Sequence, residues 1–294
     1  MGKELKCAII GLDTSHTIAF TQRMQAPDCK PEHKVQGMKV INAMRFPSAY
    51  QSEPDQDKRQ VQLEGWGVKV TRDFNEAVKG VDAIMMEVND PALHLEYFQK
   101  VAKLGLPVFL DKPPADTVEN AKKVIALAKE NNMKVFSSSS LRFTPQVKQI
   151  VAEVPNPRVC MTFGPLGKAP AGSSIVWYGV HAVEMLEQVM GIGAAKVVAT
   201  QDPIGITAVI EYKNNKRGIV QLNEKFAISV SNGNTVKSYM IDTGMIYSLM
   251  VIEVINFFNG GPAPVTLESS LEVQKILNAI DAAVQTGKPQ EIAD

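Results

Sequence analysis

Short apolar runs alternate with longer helical patterns from Leu5 to about Lys134, and no other feature of the sequence constrains the fold as strongly. Parallel strands must be joined by crossover connections, and a helix is the usual one, so this alternation predicts a parallel sheet covered by helices. The first part of the chain therefore belongs to the α/β class. Its predicted strands are Leu5–Ile10, Lys39–Ala43, Val68–Val70, Ala83–Val88, Val108–Leu110 and Val135–Ser138.

The second part of the chain has a different pattern. Its β-rich runs lie between Lys196 and Asp242 and are separated by turns rather than helices, which favours an antiparallel sheet. We expect a doubly wound parallel α/β domain over residues 1–142, followed by an α+β domain with an open-faced, mainly antiparallel sheet over residues 143–294. A final helix before Gly287 carries an apolar stripe of Val273, Leu277, Ile280 and Val284.

Charge and cysteine content argue against several classes of function. Lys plus Arg and Asp plus Glu each number 31, so no net charge attracts nucleic acid or an anionic membrane. No run of about 20 apolar residues is present, which argues against a membrane span. Cys7, Cys29 and Cys160 form no CxxC pair, which argues against a structural zinc site and a disulfide framework. We expect a cytoplasmic protein that recognises a small molecule.

The first predicted strand leads directly into a candidate phosphate-binding turn before a helical pattern at residues 17–25. A dinucleotide-binding fold has a glycine-rich turn here, where free helix amides and the positive end of the helix dipole meet the pyrophosphate. Only the first glycine is present, because Asp13 and His16 occupy the other two positions. Either the turn binds a dinucleotide weakly, or Asp13 or Thr14 merely caps the helix. The turn residues are Gly11, Leu12, Asp13, Thr14, Ser15 and His16.

The second predicted strand is followed by Arg45, at a place where NAD-binding domains commonly have an acidic residue that holds the ribose hydroxyls. An arginine suits the 2′-phosphate of NADP, so NADP is mildly favoured over NAD, although Arg45 is also compatible with an ordinary surface residue. The polar stretch that follows, from Phe46 to Gly65, contains two prolines and has no sustained period. It is predicted to be a long surface loop or an insertion.

Four motifs along the chain recur together in one known family. The strand Val108–Leu110 is followed by Asp111-Lys112-Pro113, where that family has Glu-Lys-Pro. Further similarities are Arg142 and Phe143 after the next strand, Gly179, His181 and Glu184 in a later helix, and Thr-Gly-Lys-Pro at residues 286–289. On these motifs the sequence resembles the Gfo/Idh/MocA family of sugar and polyol oxidoreductases.

This resemblance implies a two-domain enzyme with an N-terminal Rossmann domain and a C-terminal sheet that borders the substrate and often mediates oligomerisation. A homo-oligomer, either a dimer or a tetramer, is therefore expected. The implied reaction is hydride transfer between NAD or NADP and a hydroxyl-bearing carbon of a sugar, an inositol or a related polyol. No nucleic-acid or membrane partner is expected.

The resemblance also implies roles for individual residues. Lys112 would lie beside the nicotinamide and hydrogen-bond the reacting oxygen, and His181 would accept the hydroxyl proton as the hydride leaves. Glu184, three residues after His181, could orient the imidazole ring or bind substrate. The expected substrate residues are Arg142, Trp177, Tyr178 and Glu184, and the expected cofactor-binding residues are Gly11, Asp13, Thr14, Ser15, His16, Arg45, Glu87, Asp111, Lys112 and Pro113.

Two residues depart from the family's pattern. Trp177 stands four residues before His181, where family members commonly have an aspartate, and an indole can neither ionise nor accept a hydrogen bond. Trp177 could stack on a sugar ring with the hydroxyl of Tyr178 beside it, or it could be ordinary packing. Glu87 stands where relatives place a small hydroxyl-bearing residue. No His, Glu or Asp residues have the close spacing of a metal-binding motif, so no metal is expected.

Two other functions remain open at this stage. The replacement of family residues by Asp13, His16 and Trp177 is compatible with a non-catalytic ligand-binding or regulatory protein of the same fold. An enzyme with this fold could also catalyse a lyase or hydrolase reaction with a tightly held nicotinamide.

Overall fold

The computed structural model describes residues 4–293 and contains two β-sheets. The strands of the first sheet are β1 Leu5–Ile10, β2 Met38–Met44, β3 Lys69–Thr71, β4 Ala83–Met86, β5 Val108–Leu110 and β6 Val135–Ser137. Their order is β3-β2-β1-β4-β5-β6, and all neighbouring strands are parallel. This is the strand order of a Rossmann fold, so the predicted N-terminal fold class is confirmed.

Helices connect these strands and bury their apolar side chains. The helices are α1 Ser15–Gln25, α2 Glu53–Gly65, α3 Phe74–Ala77, α4 His94–Val101 and α5 Val118–Glu130. Phe20 of α1 contacts Phe109 of β5 edge to face, and the ring of Phe109 lies 5.0 Å from that of Phe136 on β6. Strands that are covered by helices read as continuous apolar runs, which is why the sequence located them well.

The prediction of a long loop or insertion from Phe46 to Gly65 was wrong for most of this stretch, because residues 53–65 form α2. The hydroxyl of Ser52 accepts a hydrogen bond from the backbone N–H of Asp55, and Pro54 lies in the first turn, where its missing N–H does no harm. Only Gln56 and Leu63 of this helix are buried. Two buried positions leave no apolar stripe, so the helix had no periodic signature in the sequence.

The second sheet is mixed but mostly antiparallel, which confirms the predicted class of the C-terminal part. Its strands are β7 Val159–Gly164, β8 Ala194–Gln201, β9 Ile206–Tyr212, β10 Arg217–Leu222, β11 Ala227–Ser231, β12 Val236–Met240 and β13 Gln290–Glu291. Their order is β12-β11-β7-β10-β9-β8-β13, with only the pair β7–β10 parallel. The remaining helices are α6 Pro145–Glu153, α7 Val180–Met190, α8 Ile246–Phe258 and α9 Leu267–Thr286.

The chain forms two compact units, each assembled from separate segments. Unit 1 contains the chain up to Asp111, Lys123–Ser137 and Tyr247–Thr266, and unit 2 contains Lys112–Lys122, Ser138–Ile246 and the chain from Leu267 onwards. The chain thus returns to unit 1 after the second sheet, and Phe257 of α8 contacts Phe136 of β6. The continuous division into residues 1–142 and 143–294 stays a prediction.

No helix within residues 4–293 has both the length and the apolar character needed to cross a lipid bilayer.

The end of β1 approaches the end of β4 so closely that only glycine fits. Gly11 has a φ of +118°, and a Cβ built on it would lie 2.2 Å from the carbonyl oxygen of Glu87. Its own carbonyl accepts a hydrogen bond from the hydroxyl of Thr17, and its N–H donates to the carbonyl of Met44. These contacts anchor the turn that leads into α1.

We predict that Gly11→Ala destabilises the protein by roughly 2 to 5 kcal/mol, because it combines a strained φ with a displaced backbone at Glu87. The measurement is urea unfolding followed by circular dichroism. Gly80→Ala is the matched control, since Gly80 also has a positive φ of +73° but no atom lies within 4 Å of its added Cβ. Equal losses of stability in the two variants would show that the close approach at Glu87 has no energetic importance.

Candidate functional site

The turn after β1 leads into the positive end of α1, whose first turn carries no acidic residue. Thr14 is the N-cap of α1, and its hydroxyl accepts a hydrogen bond from the backbone N–H of His16 at 3.2 Å. Ser15 is the first residue of the helix, and the first turn contains no acidic residue. The unpaired amides and the dipole of α1 therefore form a site that suits an anionic group such as a pyrophosphate.

The carboxylate of Asp13 is hydrogen-bonded to two neighbouring loops of unit 1. One carboxylate oxygen accepts a hydrogen bond from the hydroxyl of Ser48 at 2.7 Å, and the other accepts from the backbone N–H of Asn89 at 3.1 Å. Burial raises the pKa of Asp13 above its ordinary value, in spite of these hydrogen bonds. Both oxygens of Asp13 are thus engaged by donors within unit 1.

Arg59 is a cation at this turn that the sequence did not mark. One of its Nη atoms donates to the carbonyl of Leu12 at 2.9 Å. Burial lowers the pKa of Arg59, while the nearby charge of Asp13 acts in the opposite direction. Arg59 belongs to α2. Its contact with the turn was missed because residues 46–65 had been interpreted as a loop. The helix brings a positive charge to the very turn where Asp13 adds a negative one.

Arg45 is buried among acceptors of α2. Its Nη1 donates to Asp57 at 2.6 Å and to Gln60 at 2.8 Å, and its Nη2 donates to Glu53 at 2.5 Å. Burial lowers the pKa of Arg45, but the two carboxylates outweigh it and leave the pKa above the ordinary value. A 2′-phosphate would have to compete with Glu53 and Asp57 for this guanidinium. The sequence could not show this, because the two acids lie in a stretch without a recognised element.

His16, Glu87 and Asp111 meet at the carboxyl ends of the parallel strands. Nδ1 of His16 lies 2.7 Å from Oδ2 of Asp111 and 3.9 Å from Oε2 of Glu87. Among residues 4–293 this is the one group of His, Cys, Asp and Glu with ligand atoms close enough to hold a metal ion. The short contact with Asp111 already engages Nδ1 as a hydrogen bond, and the ring packs against Phe20 and Tyr247. We therefore interpret the cluster as a hydrogen-bonded group at the carboxyl edge of the first sheet.

His181 lies in the first turn of α7 and is held by a serine of unit 2. Nδ1 of His181 lies 2.7 Å from Oγ of Ser139, and both side chains are buried. Ser139 precedes a short 3₁₀ turn, Ser140–Phe143, and its Oγ also accepts the backbone N–H of Leu141 at 3.2 Å. Nδ1 of His181 is therefore engaged by Ser139 within unit 2. Nothing in the sequence marked Ser139, which is one of four consecutive serines.

Arg142 and Glu184 form a buried ion cluster with Glu187. Nε of Arg142 donates to Glu184, and its Nη1 donates to Glu187 at 2.5 Å. Burial raises the pKa of Glu184, which Arg142 offsets only in part, whereas the two carboxylates hold the pKa of Arg142 above its ordinary value despite burial. The expected contact of Arg142 and Glu184 with substrate stays a prediction, but their observed contact joins the 3₁₀ turn to α7.

Aromatic rings surround His181 within unit 2. A single π-helical turn, Ile175–Gly179, precedes α7 and carries Trp177 and Tyr178. The Tyr178 ring lies 5.1 Å from the imidazole and 5.3 Å from the Trp177 ring, and Phe226 lies 5.8 Å from the imidazole on an edge. Burial raises the pKa of Tyr178. Isolated π turns occur frequently at functional sites, and no sequence motif marks Phe226, which lies in a turn.

Lys112 and Pro113 follow Asp111 after β5. Lys112 is buried and belongs to unit 2, the same compact unit as His181. His94, by contrast, has its Nε2 2.7 Å from the carbonyl of Val88 within unit 1, so its observed role is structural. The geometry thus supplies two groups of polar side chains, an anion-binding turn in unit 1 and a buried histidine with its partners in unit 2.

Comparison with known proteins gives a family for the first part of the chain. Residues 5–139 match the model of the Gfo/Idh/MocA oxidoreductase family, described as an NAD-binding Rossmann fold. No curated protein matches the sequence.

Solved structures with the same fold cover nearly the whole chain. A myo-inositol 2-dehydrogenase from Lactobacillus plantarum is 15% identical, with a TM-score of 0.80 over 99% of this chain and 100% of that one. A scyllo-inositol dehydrogenase from Lactobacillus casei, with bound NAD(H) and scyllo-inositol, is 16% identical, with a TM-score of 0.79 over 99% of this chain and 100% of that one. At such low identity these matches establish the shared fold.

We predict that Arg142→Met costs about 3 to 5 kcal/mol of stability near neutral pH, because it leaves buried Glu184 without its cation. A carboxyl group with a raised pKa in the folded state stabilises at low pH, and this contribution is lost as the pH rises through the folded pKa. Without Arg142 the pKa of Glu184 rises further, so the loss of stability grows as the pH rises above the ordinary pKa of a glutamate. Urea unfolding at several pH values measures it.

Two further variants complete this test. Adding both Glu184→Gln and Glu187→Gln to Arg142→Met should remove most of the added pH dependence, since both buried carboxylates are then absent. Arg72→Met is the control, because Arg72 forms an exposed ion pair with Glu53 and its loss should barely change the unfolding midpoint. A pH-independent loss in Arg142→Met would contradict the assigned role of the ion cluster.

Proposed function

From the membership of residues 5–139 in the NAD-binding Rossmann fold of the Gfo/Idh/MocA oxidoreductases, we propose that the protein is an NAD(P)-dependent dehydrogenase. Its substrate is a sugar, an inositol or a related polyol. The observation that carries the proposal is the buried Ser139–His181 pair, in the same compact unit as Lys112 of the Asp-Lys-Pro motif. An oriented imidazole can accept the proton of an alcohol, and an ammonium group can hydrogen-bond the reacting oxygen.

The turn after β1 suits a nicotinamide dinucleotide. Gly11 lets the backbone pass within contact distance of Glu87, where a Cβ would fill the space. The first turn of α1 carries no acid, and the carboxylate of Asp13 is engaged by Ser48 and Asn89. Gly11, Thr14, Ser15 and Arg59 would hold the pyrophosphate, with His16, Glu87 and Asp111 at the neighbouring strand ends.

Each proposed catalytic residue has a distinct task. When bound, the nicotinamide supplies the acceptor or donor of the hydride. Nε2 of His181 accepts the proton of the substrate hydroxyl as the carbon becomes a carbonyl, and returns it in the reverse direction. Lys112 donates a hydrogen bond to the same oxygen and stabilises the negative charge that develops on it. Ser139 and the Arg142 cluster keep the imidazole in place.

The surroundings of His181 favour a neutral polyhydroxylated substrate. Trp177 and Tyr178 offer ring faces for the C–H face of a sugar or an inositol. The charge of Arg142 is already balanced by the carboxylates of Glu184 and Glu187, which disfavours a substrate carboxylate or phosphate here. This view accords with the Lactobacillus casei neighbour, whose structure contains scyllo-inositol.

A homo-oligomer and a cytoplasmic location belong to the same proposal. The edge strand β12 exposes Val236 and Met240 on one face, and both side chains are more than half exposed. Contact with another copy of the chain would cover them. Cys7 and Cys160 are buried free thiols, which fits a reducing compartment.

We predict that the protein binds NADH more tightly than NADPH, because a 2′-phosphate near Arg45 would meet the carboxylates of Glu53 and Asp57. Fluorescence titration with each dinucleotide measures the two dissociation constants. Replacing both acids, by Glu53→Gln and Asp57→Asn, should shift the preference toward NADPH by about tenfold. Glu76→Gln, which changes an exposed acid paired with Lys69, is the control. Tighter binding of NADPH than of NADH by the wild type would refute this prediction.

We predict that Lys112→Met and His181→Gln each lower kcat by about 10²- to 10⁴-fold on any sugar or inositol that the wild type oxidises. Turnover is followed by the appearance of NADH across a panel of inositol isomers and aldoses. His33→Gln, which changes a histidine outside the site, should retain full activity. Undiminished turnover in both site variants would disprove the catalytic assignment.

The same panel separates the second candidate function, a non-catalytic ligand-binding protein. The replacement of the family's aspartate by Trp177 is the observation that favours it. That function would show as tight binding of NADH and of a polyol by the wild type with no turnover of any compound.

A further inference from the structure

Ser139 makes a contact with a histidine in addition to the usual contact of a serine that precedes a turn. Its Oγ lies 2.7 Å from Nδ1 of His181 and accepts the backbone N–H of Leu141 at 3.2 Å. The side chain is fully buried, so water cannot replace it as a partner of the imidazole. A buried ring nitrogen that lost this partner would pay for its desolvation without a hydrogen bond.

A second contact between the same turn and α7 supports the position of Ser139. The carboxylate of Glu184 accepts a hydrogen bond from Nε of Arg142. Ser139 is the N-cap of the 3₁₀ turn, and Arg142 lies three residues further on, within that turn. His181 and Glu184 are likewise three residues apart on α7. Residues at this spacing share a face in both kinds of helix, so the two contacts reinforce one register between the turn and α7.

The contact also accounts for the departure at Trp177. An indole cannot accept a hydrogen bond from an imidazole, so Trp177 cannot do what a carboxylate would do for Nδ1. The hydroxyl of Ser139 can accept a hydrogen bond from Nδ1–H, whether the ring is neutral or protonated at Nε2. The ring therefore need not turn when it takes up a proton at Nε2, and such a prearranged partner lowers the cost of proton transfer.

We propose that Ser139 is the positioning residue of His181: its Oγ accepts the Nδ1–H of the imidazole and so leaves Nε2 as the nitrogen that exchanges a proton with the substrate. The inference rests on the proposed dehydrogenase function for its catalytic meaning. The tautomer of His181 itself is a property of the unliganded protein and is measurable without a substrate. Ser139 acts through His181 and makes no contact with the reacting atoms.

The decisive experiment is nitrogen NMR of the full chain labelled in its histidines. The chain contains four histidines, so the spectrum has four imidazole systems, and His181→Gln identifies the signals of His181. In the wild type we expect neutral His181 to carry its proton on Nδ1. In Ser139→Ala the tautomer should shift toward Nε2–H, and the Nδ1 proton should exchange faster with water.

Two variants make this result specific. Ser139→Thr keeps the hydroxyl and should restore the Nδ1–H form. Ser138→Ala removes a neighbouring buried serine whose Oγ donates to the carbonyl of Ser139, and it should leave the His181 signals unchanged. Unchanged signals of His16, His33 and His94 show in each case that the variant is folded. A wild-type His181 protonated on Nε2, or a Ser139→Ala spectrum identical to that of the wild type, would overturn the proposal.

Kinetics then separate this proposal from the proposed function. With a substrate found in the panel, Ser139→Ala should lower kcat by about tenfold with little change in KM, and Ser139→Thr should recover most of it. An unchanged kcat in Ser139→Ala would refute the catalytic value of the positioning contact. A His181→Gln variant with full turnover would instead refute the proposed function, whatever the tautomer of His181.

Discussion

A guanidinium buried between two glutamates organises the polar part of unit 2. Arg142 donates to Glu184 and Glu187 out of reach of water, and a buried charge of this kind is tolerated only when its partners are in place. These ion pairs therefore fix how the turn after β6 packs against α7. The short contact between Ser139 and His181 joins the same turn to the same helix.

In the candidate phosphate-binding turn of unit 1, the side chains that replace glycines are also hydrogen-bonded to neighbouring residues. Asp13 has Ser48 and Asn89 as donors, and Arg59 lies close enough for its charge to act on it. His16 occupies the place of a glycine but is engaged by Asp111. Because these groups satisfy one another, the turn keeps its close backbone approach at Gly11 and the open N-terminus of α1 despite two lost glycines.

Local patterns made the main elements predictable from the sequence. Buried parallel strands are continuous apolar runs, and all six strands of the first sheet were located to within two residues at either end. The last helix was recognised by its apolar stripe and the glycine that follows it. The helix α2 was missed because it buries only Gln56 and Leu63, and with it the partners of Arg45 and the contact of Arg59 were missed.

The sequence alone determined the class of each part of the chain, since periodicity and turn residues act over a few neighbouring positions. Its resemblance to family motifs also singled out Lys112 and His181, whose catalytic roles stay predictions. Only the tertiary structure decided which side chains meet: His16 with Asp111, 95 positions apart, and Ser139 with His181, 42 positions apart. Such pairs depend on where parallel strands end and how a helix lies against a turn, and no local pattern records that arrangement.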